Sequence, residues 1–135
     1  MKIDQVQAVL DQVAAPFVKS LGLQVLACDE KSTTLRMPIT PALVHGGGML
    51  CGQSVLAAAD TAMVIATSVA CGAFTPMTTV QLQTTFLRPI PGETSDVKLV
   101  CHVLRRGRTL AFGEVEIFTP DGKLAAHATT TYAFL

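Results

Sequence analysis

One carboxylate stands where chemistry would be needed to explain it. In Val44–Ala66, VHGGGMLCGQSVLAAADTAMVIA, Asp60 is the only charged side chain apart from His45, and its surroundings are rich in alanine. A charge in such a run is costly unless it is paired or functional. Its neighbours one helical turn away, Leu56, Ala57, Met63 and Val64, offer no partner. A carboxylate shielded from bulk water is a stronger base, which suits it to general-base work. The bland alternatives are an acid on a solvated helix edge, or one bonded to a backbone N–H. A second cluster, Arg105, Arg106 and Arg108, shares one turn and has the geometry that binds phosphates, although a solvated turn needs no ligand. The four cysteines, Cys28, Cys51, Cys71 and Cys101, lie too far apart for a C-x-x-C metal or redox pair and suggest no disulfide framework.

The elements that must position these groups follow from periodicity. Ile3, Val6, Leu10, Val13 and Phe17 recur at spacings of three and four, predicting an amphipathic helix within residues 1–19 that Pro16 limits near its end. LQVLACDE and STTLRMPIT read as a hairpin turning at Asp29–Lys31. Small residues on every side of the Asp60 run predict a long helix enclosed all round and stopped by Gly72. Beyond it the period becomes two: Val80, Leu82 and Phe86 alternate with Gln81, Gln83 and Thr85. Three further strands follow, with turns at Arg106-Gly107 and Asp121-Gly122, and the last four strands read as a meander. The expected architecture is a single α+β domain over residues 1–135, an antiparallel sheet of five to six strands curled around one long helix.

Composition narrows the partners. Ten acidic against ten basic side chains leave no electrostatic footprint for nucleic acid or an anionic membrane. Residues 55–74 approach the length of a membrane span, but Asp60 near the centre would cost about 2.5 to 3.5 kcal/mol on insertion scales, so a buried helix is expected. Asp4 and Asp11 interrupt any signal-peptide core, giving a cytoplasmic expectation. Half the residues are apolar and only 15% are charged, so part of the surface is expected to be covered by another copy of the chain.

The order of elements, together with GGGMLCGQSVLAAADTAM, TVQLQTTFLRPIPGE, RRGRTLAFGEVEIF and DGKLAAHATTTY, resembles the hotdog-fold acyl-CoA thioesterases. The likeness spans residues 20–135 and is nearest the phenylacetate-degradation (PaaI-type) branch of the 4-hydroxybenzoyl-CoA thioesterase superfamily. That resemblance implies hydrolysis of an acyl- or aryl-CoA to free acid and CoA by a homodimer or dimer of dimers, with no metal or redox cofactor. The branch carries an asparagine, then His-Gly-Gly at the helix start, then an acid within the helix. Setting His45-Gly46-Gly47 on His-Gly-Gly puts Ser54 in the acid's place. Anchoring on LAAADTAM instead puts the acid at Asp60, Cys51 at the histidine, Gly52 at the first glycine and His45 at the asparagine. Cys51 and Gln53 then depart from the pattern.

In this register Asp60 is the implied general base or nucleophile, and the Gly52 N–H, at a helix start, the implied oxyanion donor. His45 could bond the thioester oxygen or the ligand's amides. Thr79, or Thr78 if the loop differs by one residue, is the implied hydroxyl that holds water beside Asp60. Cys51 is expected to be a structural thiol. Eight residues of helix rise about 12 Å, too far for Gly52 and Asp60 of one chain to share a carbonyl. The site is therefore expected to join Gly52 of one subunit to Asp60 of its partner across a two-fold axis. A hotdog hydratase or dehydratase, which would need a paired histidine, and a non-catalytic acyl-CoA-binding protein remain alternatives.

Overall fold

A computed structural model describes residues 1–135. Helix α1 (Ile3–Val13) stops at Ala14 because Ala15 precedes a proline and adopts the extended backbone that proline enforces. Pro16 opens a separate short helix, α2 (Pro16–Lys19), rather than closing the first. The stripe read from the sequence is only partly used: Val6 and Leu10 are buried, whereas Ile3, Val13 and Phe17 are exposed, Phe17 by 63%. α1 packs against β1 and α3, and the middle of its apolar face, Val6 and Leu10, is the part that joins the core.

Strands β1 (Gln24–Cys28) and β2 (Ser32–Pro38) form the expected hairpin, closed by the Asp29 carboxylate accepting the N–H groups of Lys31 and Ser32. A 3₁₀ turn, Pro41–Leu43, leads to helix α3 (Gly52–Cys71), which ends on Gly72 in the left-handed conformation, φ 83°. β3 (Met77–Phe86), β4 (Asp96–Arg106), β5 (Leu110–Phe118) and β6 (Leu124–Phe134) complete an antiparallel sheet ordered β1-β2-β4-β5-β6-β3. The expected four-strand meander is therefore corrected. Only β4, β5 and β6 follow one another; β3 pairs with β6, and the chain crosses the sheet between β3 and β4.

α3 lies in the concave face of this sheet. Val97, Leu99 and Cys101 of β4, Val115 and Ile117 of β5 and Ala126, Ala128 and Tyr132 of β6 are buried on that face by strand alternation. Gly113 lets the helix approach: a Cβ there would stand 2.7 Å from the Met63 sulfur. The helix is not enclosed all round, which corrects a second expectation. Gln53, Leu56, Ala57, Asp60, Thr61 and Val64 form a stripe that the sheet leaves partly uncovered. α3 has the length and composition of a membrane span, yet 61% of its most apolar window is buried within this one chain.

The two sheet edges are treated differently. At β1, the Gln7 side chain of α1 mimics a neighbouring strand: its Nε2 donates to Leu23 O at 3.1 Å and its Oε1 accepts the Val25 N–H at 2.7 Å. β3 has no such cover. Its register with β6 slips between Thr79 and Gln81, leaving Val80 in a bulge and 59% exposed. The bulge resets the alternation, so Thr79 and Leu82 both face inward. Val80 leaves the stripe it was expected to share with Leu82 and Phe86.

Cys101 lies wholly within the core, and burial pushes its thiol well above the ordinary range. In native buffer Cys101 should resist a thiol-specific chromophoric reagent and label only once urea unfolds the chain. Mass mapping of the labelled peptides checks this, and rapid native labelling at Cys101 would contradict the core.

Candidate active site

Asp60 is the ninth residue of α3, on its partly uncovered stripe, and is half-buried. No cation lies within ion-pair distance of it. Its partners are hydroxyls brought by two strands. Thr79 Oγ1 of β3 donates to Oδ1 at 2.9 Å, and Tyr132 Oη of β6 donates to the same oxygen at 2.8 Å. The Tyr132 hydroxyl also lies 2.9 Å from the Asp60 main-chain oxygen. Thr79 and Tyr132 are directly opposed across β3 and β6, which is why both reach one atom. Thr78 pairs with Ala133 one step along, so the strand alternation turns its side chain to the other face; the expected choice between the two threonines falls to Thr79 for contact with Asp60. Oδ2 accepts no hydrogen bond within the chain.

Tyr132 was not singled out from the sequence. It is fully buried, and burial first, then the negative charge and hydrogen bond of Asp60, push its phenol far above the ordinary range. The group therefore remains a protonated donor at any physiological pH. A signal existed: it is the chain's only tyrosine, in a strand of alanines and threonines. A buried phenol needs a hydrogen-bond partner, and polar partners for it within the core are few.

The start of α3 is held from both sides, Cys51 N–H donating to Leu43 O and Leu50 N–H to Ile90 O. Cys51 is the N-cap residue and supplies no side-chain cap. The Ser54 hydroxyl donates to Cys51 O, satisfying a carbonyl and leaving the first-turn N–H groups free. The Gly52 N–H therefore has no acceptor outside the helix. It opens beside a cavity of about 320 Å³ that His45, Val55, Phe86, Leu87 and Ile90 help to line, with Arg88 at its wall. A larger cleft of about 560 Å³ shares Arg88 and Pro89 with it; its one carboxylate, Asp121, is tied into its own turn by the Thr119 hydroxyl and the Lys123 N–H.

His45 borders the cavity with Gly52, but its ring is engaged in its own loop: Nδ1 accepts the Gly47 N–H at 2.8 Å. That bond puts the proton of a neutral ring on Nε2 and imitates the turn an asparagine side chain would make. Cys51 is half-buried and has no histidine hydrogen bond. Arg105 and Arg106 end β4, and Arg106 and Arg108 line a cleft with Cys71 and Thr75 at the far end of α3. A helix of 20 residues is about 30 Å long, so one chain does not bring these arginines to its own Gly52. Nor does it bring Asp60 to Gly52.

Comparison with known proteins agrees with this layout. The family model of the thioesterase superfamily matches residues 43–126. A Thermoplasma acidophilum protein that carries an esterase name is 26% identical over 116 residues, 86% of each chain. Among solved structures, a Haemophilus influenzae thioesterase superimposes with a TM-score of 0.88 at 19% identity, covering 100% of this chain and 91% of its own. The PaaI protein of E. coli, from the phenylacetic acid degradation operon, gives 0.81 at 20% identity, with 98% and 91% covered. These structural likenesses carry the hotdog fold, an antiparallel sheet wrapped around one long helix. With the family model matched from the start of the site loop into β6, the chain belongs to the thioesterase superfamily and is a thioester hydrolase.

Proposed function

We propose that the protein hydrolyses acyl- or aryl-CoA thioesters in a site shared by two copies of the chain. The observation that carries this reading is Asp60: a half-buried carboxylate with no cation, tied through one oxygen and free at the other. It lies beside β3, the strand whose outer edge has no partner in the chain and whose Thr78, Thr79, Gln81, Gln83 and Thr85 are exposed. An open edge of this kind pairs readily with another strand. Two-fold pairing of β3 with its copy sets the α3 helices antiparallel, so that Gly52 of one subunit meets Asp60 of the other.

In such a site the thioester carbonyl lies against the Gly52 N–H at the helix start, and the acyl group enters the apolar cavity beside it. Asp60 Oδ2 takes a proton from water as the water oxygen attacks the carbonyl carbon, and the amide stabilises the oxyanion that forms. Collapse of the intermediate breaks the carbon–sulfur bond. The proton held by Asp60 passes to the departing CoA thiolate, restoring the carboxylate. Direct attack by Oδ2 would give an anhydride that water then hydrolyses, with the same products. Arg105, Arg106 and Arg108 have a place in this geometry as residues of the partner. Arg106 and Arg108 line a cleft with Cys71, which is about 16 Å of helix beyond Asp60, on the side from which the CoA arm would leave Gly52. There they would meet its phosphates. The hydratase alternative needs a histidine paired with the acid, and within the chain the Asp60 carboxylate is bonded to hydroxyls and to no histidine.

Release of free thiol from a panel of acyl- and aryl-CoAs tests the reading. Asp60→Asn should lower kcat by about 10²- to 10⁴-fold, as loss of a general base does. Retained turnover in that variant would remove Asp60 from the chemistry.

Gly52 permits a sharper substitution because it is the first residue of α3, where proline is tolerated. Gly52→Pro removes the amide hydrogen and should cost about 10²- to 10³-fold in kcat with the helix intact. Its control is Gly52→Ala, which keeps the N–H and introduces the same close contact, a Cβ 3.3 Å from the Phe86 ring. Equal losses in the two variants would assign the effect to crowding and not to the amide.

A further inference from the structure

We infer that Tyr132 is a positioning residue for the reaction, acting through Asp60: its phenol hydroxyl, with that of Thr79, holds Oδ1 and leaves Oδ2 as the single reacting oxygen. This rests on the proposed role of Asp60 and goes beyond it by assigning different tasks to its two oxygens.

The geometry is local and specific. An aspartate carboxylate can turn about its terminal torsion at little cost, and a base whose two oxygens exchange places holds no fixed water. Here two O–H donors, at 2.8 and 2.9 Å, converge on Oδ1 from directly opposed strand positions. The Tyr132 hydroxyl also stands 2.9 Å from the main-chain oxygen of Asp60, so the phenol bridges the side chain to its own backbone. One hydroxyl hydrogen is available for the two acceptors, and the charged carboxylate is the stronger. The phenol itself cannot drift, because its ring is fully buried among the strands of the core. Thr79 is the less constrained partner: it sits on the exposed edge strand, beside the bulge at Val80. The clamp thus has a fixed arm from β6 and an adjustable arm from β3. Without a cation on Oδ1, the carboxylate is oriented but not neutralised, which a base requires.

The test is Tyr132→Phe, which keeps the buried ring and removes only the oxygen. Oδ1 then keeps only the Thr79 donor, and the carboxylate is freer to turn about its terminal torsion. kcat on an acyl-CoA that the wild type turns over should fall by about tenfold, the scale of one charge-assisted hydrogen bond, with KM changed less than twofold. Thr79→Val should act in the same direction, and Thr79→Ser, which restores the hydroxyl, should recover most of the loss. A ring that served packing alone would leave kcat unmoved, and that result in a folded Tyr132→Phe overturns the inference. Thermal midpoints of the wild type, Tyr132→Phe, Asp60→Ala, which removes the side-chain acceptor, and the double variant give a readout independent of turnover. Non-additive shifts support the contact even if no CoA ester is cleaved, in which case the failure belongs to the proposed function. Additive shifts overturn the clamp whatever the activity.

Discussion

A carboxylate in the middle of a helix that packs into a sheet must be accommodated before anything else in this molecule can work. Three routes exist: pairing with a cation, protonation, or solvation by neutral donors. A cation would lower its basicity, and a protonated acid has no lone pair to use as a base. The chain takes the third route, with hydroxyls from β3 and β6 as the solvating shell. This solution works only if those strands are neighbours, and it accounts for the sheet order in functional terms. With β3 beside β4, as chain order alone suggests, Thr79 and Tyr132 would not oppose each other, and Asp60 would lose its shell.

The same strand that supplies Thr79 carries the open edge. At the other end of the sheet, Gln7 occupies the Leu23 carbonyl and the Val25 N–H, which covers the start of the β1 edge. β3 keeps its outer groups free, and the uncovered stripe of α3, including Leu56 and Val64, lies on the same side as Asp60. Part of the exposed apolar surface lies beside the candidate base, with Leu56 and Val64 half-buried on α3 and Val80 and Phe86 exposed on β3, while Ile3, Val13 and Phe17 are exposed on the N-terminal helices. The open edge at β3 suits the two-fold pairing proposed above.

Much of this was legible in the residues and some was not, for identifiable reasons. The bounds of α3 follow from local chemistry: an alanine-rich run stopped by Gly72, whose backbone takes the left-handed form. The strands follow from period two, and the hairpins from Asp29, Gly107 and Gly122, which act within a few residues of themselves. Asp60 stood out because an acid is conspicuous among alanines. What failed was non-local. Pairing of β3 with β6 depends on which strand can cross over the helix, and periodicity carries no information about that. Val80 looked like a core residue because nothing in TVQLQ announces a bulge. Phe17 and Ile3 looked buried because an apolar stripe shows a helix's face but not how much of that face will find a partner. Tyr132 was overlooked because its importance lies in one oxygen, and that oxygen's task depends on a residue 72 positions away in sequence.

Helix α3 also serves as a ruler. At 1.5 Å per residue, it fixes the spacing between the free amide at Gly52, the proposed base Asp60 and the arginine turn near Cys71 at about 12 and 16 Å. Within one chain these intervals keep the groups apart, so in the proposed mechanism a single copy holds no complete site. Reversed against a second copy, the same intervals bring one helix's start to the other's middle and extend toward the other's end. A thioester has its own linear order of acyl group, carbonyl, sulfur and phosphate-bearing arm, and antiparallel helices offer an apolar cavity, an amide with a base, and a cationic turn in that order. Shortening or lengthening α3 between Gly52 and Asp60 by one residue would turn the acid about 100° away from its hydroxyls, so the ruler cannot be rescaled without dismantling the base.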